Sequence, residues 1–278
     1  MSAMAHRKMA VLALLSANLI LFSCSSSDAP QPGTPAFYWS AAKETYAAGD
    51  YQKTVEHLGN ILSSQNDYVA RAQPWMLTLT SGMARGYMDL ADAFEAGGRA
   101  NQSQGAAFHR LVNEYRGSAS RMSLQFAEAF GNFQSKDDYV TLSFPLPTGS
   151  SAEVALLSSV SKGAMPPAGE VETAQKRTIE RDVLLAACRA AGAAGDPAKA
   201  QDLLKNGEAK VARATFVQAM ATALYEQSQL YSHNKMDDPD KMKIFCSRAQ
   251  GALKLVPASK ESDDLNKKIE AALKKSKA

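Results

Sequence analysis

Cysteine is scarce, three in 278 residues, so no disulfide framework holds this chain together. Aromatic residues make up only 8%, too few for a base-stacking platform. The formal net charge is +3, too small to hold nucleic acid by electrostatics. Apart from one run at the N-terminus, no uncharged stretch approaches the length a bilayer-crossing helix needs. No His-Glu-x-x-His pair, Gly-rich phosphate loop or nucleophile elbow occurs. What remains is 45% hydrophobic and 21% charged, a globular composition with length for one or two domains.

The N-terminal run has a meaning of its own. His6, Arg7 and Lys8 precede Met9–Phe22, an apolar stretch of 14 residues broken only by Ser16 and Asn18. At about 1.5 Å per helical residue it spans roughly 21 Å, short of a hydrocarbon core of about 30 Å. A basic segment followed by a short apolar one predicts an export signal over residues 1–23. The run ends Leu21-Phe22-Ser23-Cys24, which resembles the bacterial lipobox, with Phe22 where a small or aliphatic residue is usual. The resemblance implies cleavage before Cys24 and a thioether from its sulfur to diacylglycerol. Each buried CH₂ contributes about 0.8 kcal/mol, so two or three acyl chains anchor a protein without any membrane helix. Cleavage also removes Arg7 and Lys8, leaving 29 basic against 28 acidic side chains. In lipoproteins of Gram-negative cells, aspartate after the cysteine favours the inner membrane. Ser25 stands there, which implies the periplasmic side of the outer membrane. Residues 24–36, rich in Ser and Pro, read as a lipidated flexible tether.

Beyond the tether the apolar spacing is helical. Tyr51, Val55, Leu58, Ile61 and Leu62 form one stripe; Phe108, Leu111, Val112 and Tyr115 form another, and Met122, Phe126, Phe130 and Phe133 a third. Ile179, Val183, Ala187 and Ala190 repeat it, as do Val217, Met220, Ala221 and Leu224. Asp238-Pro239 reads as a cap and first-turn proline, opening a helix with Met242, Phe245, Ala249 and Leu253 on one side. Leu265, Ile269 and Leu273 mark a last helix. Between helical lobes at 37–135 and 171–278, residues 136–170 carry Pro145, Pro147, Gly149, Pro166, Pro167 and Gly169. This stretch reads as a connection with a short helix, and Tyr139–Phe144 fits extended backbone.

An internal echo suggests how the helices pair. Ala47-Ala48-Gly49-Asp50-Tyr51-Gln52-Lys53 recurs, 146 positions on, as Ala193-Ala194-Gly195-Asp196-Pro197-Ala198-Lys199. Glycine suits a left-handed turn and aspartate caps the helix after it. Here the chain resembles the tetratricopeptide repeat, as it does at Ala252-Leu253-Lys254-Leu255-Val256-Pro257. It departs from that family in Thr54, where alanine is usual, and in lacking a regular period of about 34 residues. The expected fold is all-α: a TPR-like α-solenoid of antiparallel helical hairpins in two lobes.

Chemistry-bearing patterns are few. His57, His109 and His233 stand singly, so no metal or cofactor site is expected. Ser-x-x-Lys occurs at Ser40/Lys43, Ser159/Lys162 and Ser232/Lys235, as chance supplies with 27 Ser and 19 Lys, and no Lys-Thr-Gly accompanies it. Asp137-Asp138, Asp237-Asp238 and Asp263-Asp264 read as helix starts, and Lys267, Lys268, Lys274, Lys275 and Lys277 as a solvated helix end. Cys188 and Cys246 are left either to pair as a disulfide in an oxidising compartment or to pack as small apolar groups. The expectation is a membrane-anchored, non-enzymatic interaction protein, with Tyr38, Asn60, Arg85 and Tyr87 as candidate groove residues and a protein or peptide, not nucleic acid, as partner. Within that class the protein reads as a scaffold or an assembly factor; the alternatives are a periplasmic enzyme with a dispersed site and an accessory lipoprotein resembling the T-component of tripartite transporters.

Overall fold

The computed structural model describes residues 30–133, 137–147, 150–152 and 154–275. Residues 1–23, Cys24 and the first part of the tether lie outside the described residues. The described residues are all-α apart from one small sheet.

Helix α1, Pro35–Ala47, starts with proline in its first turn and Thr34 as its cap, whose Oγ1 accepts from Phe37 N–H at 3.3 Å. Residues 35 and 36, expected in the tether, therefore belong to this helix. Gly49 at φ +73° turns the chain into α2, Tyr51–Leu62, and Asp50 caps it by accepting from Lys53 N–H. The Gly-Asp hairpin is present as the sequence suggests. Thr54 fits because its hydroxyl bonds across the hairpin to Thr45 at 3.0 Å and back to the Asp50 carbonyl.

The element that organises the fold is α3, Val69–Ala100, buried over most of its 32 residues. Packed on it are α2, α4 (Gly105–Gly131), α5 (Ala155–Ser161), α6 (Ala168–Ala190) and α8 (Arg213–Ser228). Close approach to α6 depends on glycine: a Cβ on Gly86 would stand 2.9 Å from Ile179 Cα. Solenoid repeats contact only their neighbours. Here α3 instead takes elements from both halves of the chain. One hydrophobic core runs from Trp39 to Ala272, with a small satellite of Leu184, Cys188, Ala193 and Ala200. The helical expectation holds, while a row of stacked pairs in two lobes gives way to helices gathered round one buried helix.

The described residues of the 136–170 stretch also contribute to that core. Strand β1, Tyr139–Leu142, pairs antiparallel with β2, Ala209–Ala212, with Tyr139 opposite Ala212 and Leu142 opposite Ala209. Phe144 is buried and stacks on Trp75 at 6.0 Å between ring centroids. Leu157 and Val160 of α5 are buried as well. Between α6 and β2, the short α7, Pro197–Leu204, is capped by Asp196, which accepts from Ala198 and Lys199 N–H. Asp238 caps α9, Pro239–Leu253, and α10, Lys260–Lys275, closes the described chain. No helix among the described residues is long and apolar enough to cross a membrane.

Candidate functional site: a charged seam and two grooves

Where α3, α6 and α8 meet, the interface is polar. Arg181 of α6 donates through Nη2 to Asp89 of α3 and to Asp182 Oδ2 at 2.6 Å. Arg85 Nε approaches Asp89 Oδ1 at 2.9 Å, which completes an alternating row of four charges. Arg181 and Asp182 side chains are 10% and 3% exposed. Burial pushes the Asp182 carboxyl up to about 6, with Asp89 adding to the rise and the Arg181 and Arg85 guanidiniums opposing it. For Arg181, burial works against the charge, but its bonds to Asp182 and the nearby Asp89 outweigh that and leave it raised.

Beside this row, Arg189 of α6 holds Glu226 of α8 through Nη1, at 3.0 and 3.2 Å to the two carboxylate oxygens. Gln227, 2% exposed, donates to the Ser81 carbonyl at 3.4 Å, and its Oε1 has no partner. Ser81, Arg85, Asp182, Arg189, Glu226 and Gln227 surround a cavity of about 20 Å³. That volume holds one water, which can donate to Gln227 Oε1. It does not hold an organic substrate.

Several larger concavities, of about 620 to 1130 Å³, are open, and two of them adjoin α3. One, about 710 Å³, runs from the α1–α2 turn to α6 and is lined by Tyr51, Tyr87, Lys176, Arg177 and Glu180. Burial, then Glu180, pushes the Tyr51 hydroxyl well above its ordinary value. The other, about 1130 Å³, lies between the start of α3, the end of α4 and β1, with Arg71 and Glu208 at 3.7 Å across it.

The four candidate groove residues do not converge. Tyr87 lines the groove beside α6, and Arg85 lines the charged cavity. Tyr38 is half-buried against the His57 ring at 6.0 Å, and Asn60 is exposed on α2. Tyr38, near the start of α1, and Asn60, near the end of α2, sit at the end of the hairpin away from its turn, whereas Tyr87 of α3 faces the turn and Arg85 the charged cavity. Cys188 and Cys246 are separate, buried free thiols. Burial, reinforced by Asp196, pushes Cys188 up to about 11, and burial also raises Cys246.

Two of the three Ser-x-x-Lys pairs have other engagements. Ser40 Oγ faces Glu44 and Lys43 Nζ lies over the Trp39 ring, while Ser232 bonds the Gln229 carbonyl and Lys235 holds Asp92. His109 is exposed, and His233 contacts Asp237 at 3.0 Å. Among the described residues, no three His, Cys, Asp or Glu side chains gather as a metal site would require. Sequence reading missed Asp89, Arg181 and Asp182, whose only signal is charge within an apolar helical pattern. No family model, curated protein or solved structure matches the chain.

Proposed function

We propose that this protein is a lipid-anchored interaction protein of the bacterial cell envelope, held by a lipid on Cys24, that recruits a protein partner without catalysing a reaction. The outer membrane, facing the periplasm, is the proposed site. The observation that carries the interaction reading is the contrast between its concavities. The cavity beside the raised carboxyl of Asp182 has room for one water, whereas the spacious depressions, of about 620 to 1130 Å³, are open to solvent. Enzymes hold substrates in concave pockets that bury most of the ligand, with convergent polar groups. Open grooves of mixed polarity suit a polypeptide segment. The anchoring half of the reading rests on Met9–Phe22 and the Leu21-Phe22-Ser23-Cys24 ending.

One experiment addresses both halves. The full chain and its Cys24→Ser variant are expressed in a Gram-negative host with a photo-crosslinking residue at Arg177 or at Arg71, one for each groove. The parent is expected in the outer-membrane fraction, cross-linked to a discrete protein, and the variant in soluble fractions or with its signal retained. Detergent partitioning of Cys24→Ser like the parent sinks the anchor. Turnover of peptidoglycan, phosphoester or ester substrates that one polar substitution abolishes, with no cross-linked partner, sinks the interaction reading.

A further inference from the structure

The groove at β1 contains an unused edge of sheet. Arg213 N–H donates to the Asp138 carbonyl at 2.8 Å, just beyond the Tyr139–Ala212 pair. In an antiparallel ladder, hydrogen-bonded and non-hydrogen-bonded pairs alternate. This phase puts the remaining β1–β2 bonds at Val140–Val211 and Leu142–Ala209. The N–H and C=O of Tyr139 and Thr141 therefore point away from β2, and neither residue has a backbone partner among the described residues. Two such donor–acceptor pairs, about 6.8 Å apart along the strand, match an extended polypeptide backbone.

The surroundings select what that backbone carries. Tyr139, Val140 and Thr141 line the groove together with Asp67 and Asp137. Both aspartates are exposed and neither forms an ion pair among the described residues; Arg71 and Glu208 compensate each other, and Lys210 of β2 offsets one of the two aspartates, which leaves the lining with one net negative charge. The Tyr139 side chain, 59% exposed, offers a ring to apolar side chains. Strand addition to an open edge draws affinity from main-chain bonds and specificity from alternate side chains.

We propose that the free edge of β1 docks an extended segment of a partner protein as a third strand, with lysine or arginine placed against Asp67 and Asp137. The proposal rests on the interaction reading above and names its site and mode.

The probe is the blocked peptide Thr-Lys-Val-Lys-Val-Lys-Thr, titrated into the full chain in detergent, with a version carrying Glu at every Lys position as contrast. Binding is read by anisotropy and by hydrogen exchange at single amides. The lysine peptide is expected to bind and to slow exchange at Tyr139 and Thr141, with the Glu version at least about tenfold weaker. In a third strand only every second peptide N–H faces β1. N-methylation of the lysines or of the valines should therefore abolish binding for one set and spare it for the other. Thr141→Pro removes an N–H that the β1–β2 ladder does not use, and proline is tolerated at such edges. This variant should lose the peptide while Val140 and Leu142 amides keep their protection, and Thr141→Val should bind like the parent.

No binding, equal binding of the Glu peptide, equal effects of the two N-methyl sets, or unchanged exchange at Tyr139 and Thr141 each overturns the proposal. So does a sedimentation dimer that Thr141→Pro abolishes and the peptide leaves intact, because the edge then pairs with a second copy. Partner cross-linking through Arg177 does not depend on these outcomes, so the docking mode and the interaction reading fail separately.

Discussion

Gly82 of α3 lies so close to Val183 of α6 that a Cβ on the glycine would stand 2.5 Å from Val183 Cα and 2.9 Å from the Asp182 carbonyl oxygen. The obstacle is backbone on both counts, so no side-chain rotation relieves it. The contact sets the separation of the two helices that carry Arg85, Asp89, Arg181 and Asp182.

Gly82→Ala is accordingly expected to destabilise the fold by about 1–3 kcal/mol, despite the better helix propensity of alanine. Gly117 in α4 faces open space, and a Cβ there would meet nothing within 4 Å. Gly117→Ala should therefore stabilise by about 0.5–1 kcal/mol. Urea unfolding of the two variants measures both signs, and equal effects would refute the close-packing account.

Asp182 gives the protein a pH response opposite to ordinary acid denaturation. Its folded value of about 6 lies above the usual carboxylate range because of burial, so between about pH 6 and 4 the folded state binds more protons than the unfolded one. Its contribution to stability therefore rises as pH falls through that window. In Asp182→Asn the rise should be absent, a difference from the parent on the order of 3 kcal/mol between pH 7 and pH 4. Parallel stability curves for parent and variant across that range would contradict this.

The two thiols should be silent until the protein unfolds. With Cys24→Ser as background, an aromatic disulfide reagent is expected to find essentially none in the native chain. It should find both Cys188 and Cys246 in denaturant, with or without reductant, since each is buried and free. Extra thiols appearing only after reduction would reveal a disulfide.

Asp238 starts α9 by accepting from Lys241 N–H at 3.0 Å while its second oxygen holds Lys241 Nζ at 2.7 Å. Asp238→Ala should cost about 1 kcal/mol and speed amide exchange in the first turn of α9, whereas Asp238→Ser should recover most of the cap. Unchanged exchange in that turn would count against the capping role.

How much of this was legible depended on what each signal encodes. Asp238-Pro239 and Gly49-Asp50 carry local backbone chemistry, and both helix starts lie where those residues put them. That α3 is the buried centre was not legible, because the burial of Leu77, Leu79, Met83, Leu90 and Phe94 comes from helices in both halves of the chain, which spacing along α3 alone does not encode. Strand β2 is four residues long, half of them alanine, and its partner lies far back in the sequence, so its pairing has no local signature. Arg85 was visible as a polar candidate. That Asp89, Arg181 and Asp182 join it follows only from the α3–α6 crossing, which charge spacing along one helix does not encode.

The enclosure of α3 also has a consequence for the order of assembly. Asp89 and Arg181 are 92 positions apart, and α8 follows later still. A chain emerging from its N-terminus makes α2, α3 and α4 long before it makes α6 and α8, which cover the rest of α3. Until then Leu77, Met83 and the small faces at Gly82 and Gly86 have only part of their final surroundings. Closing such distant contacts carries loop entropy that neighbouring hairpins do not. Folding is therefore expected to complete in a single late step, and a fragment ending before α6 should be a target for chaperones and proteases.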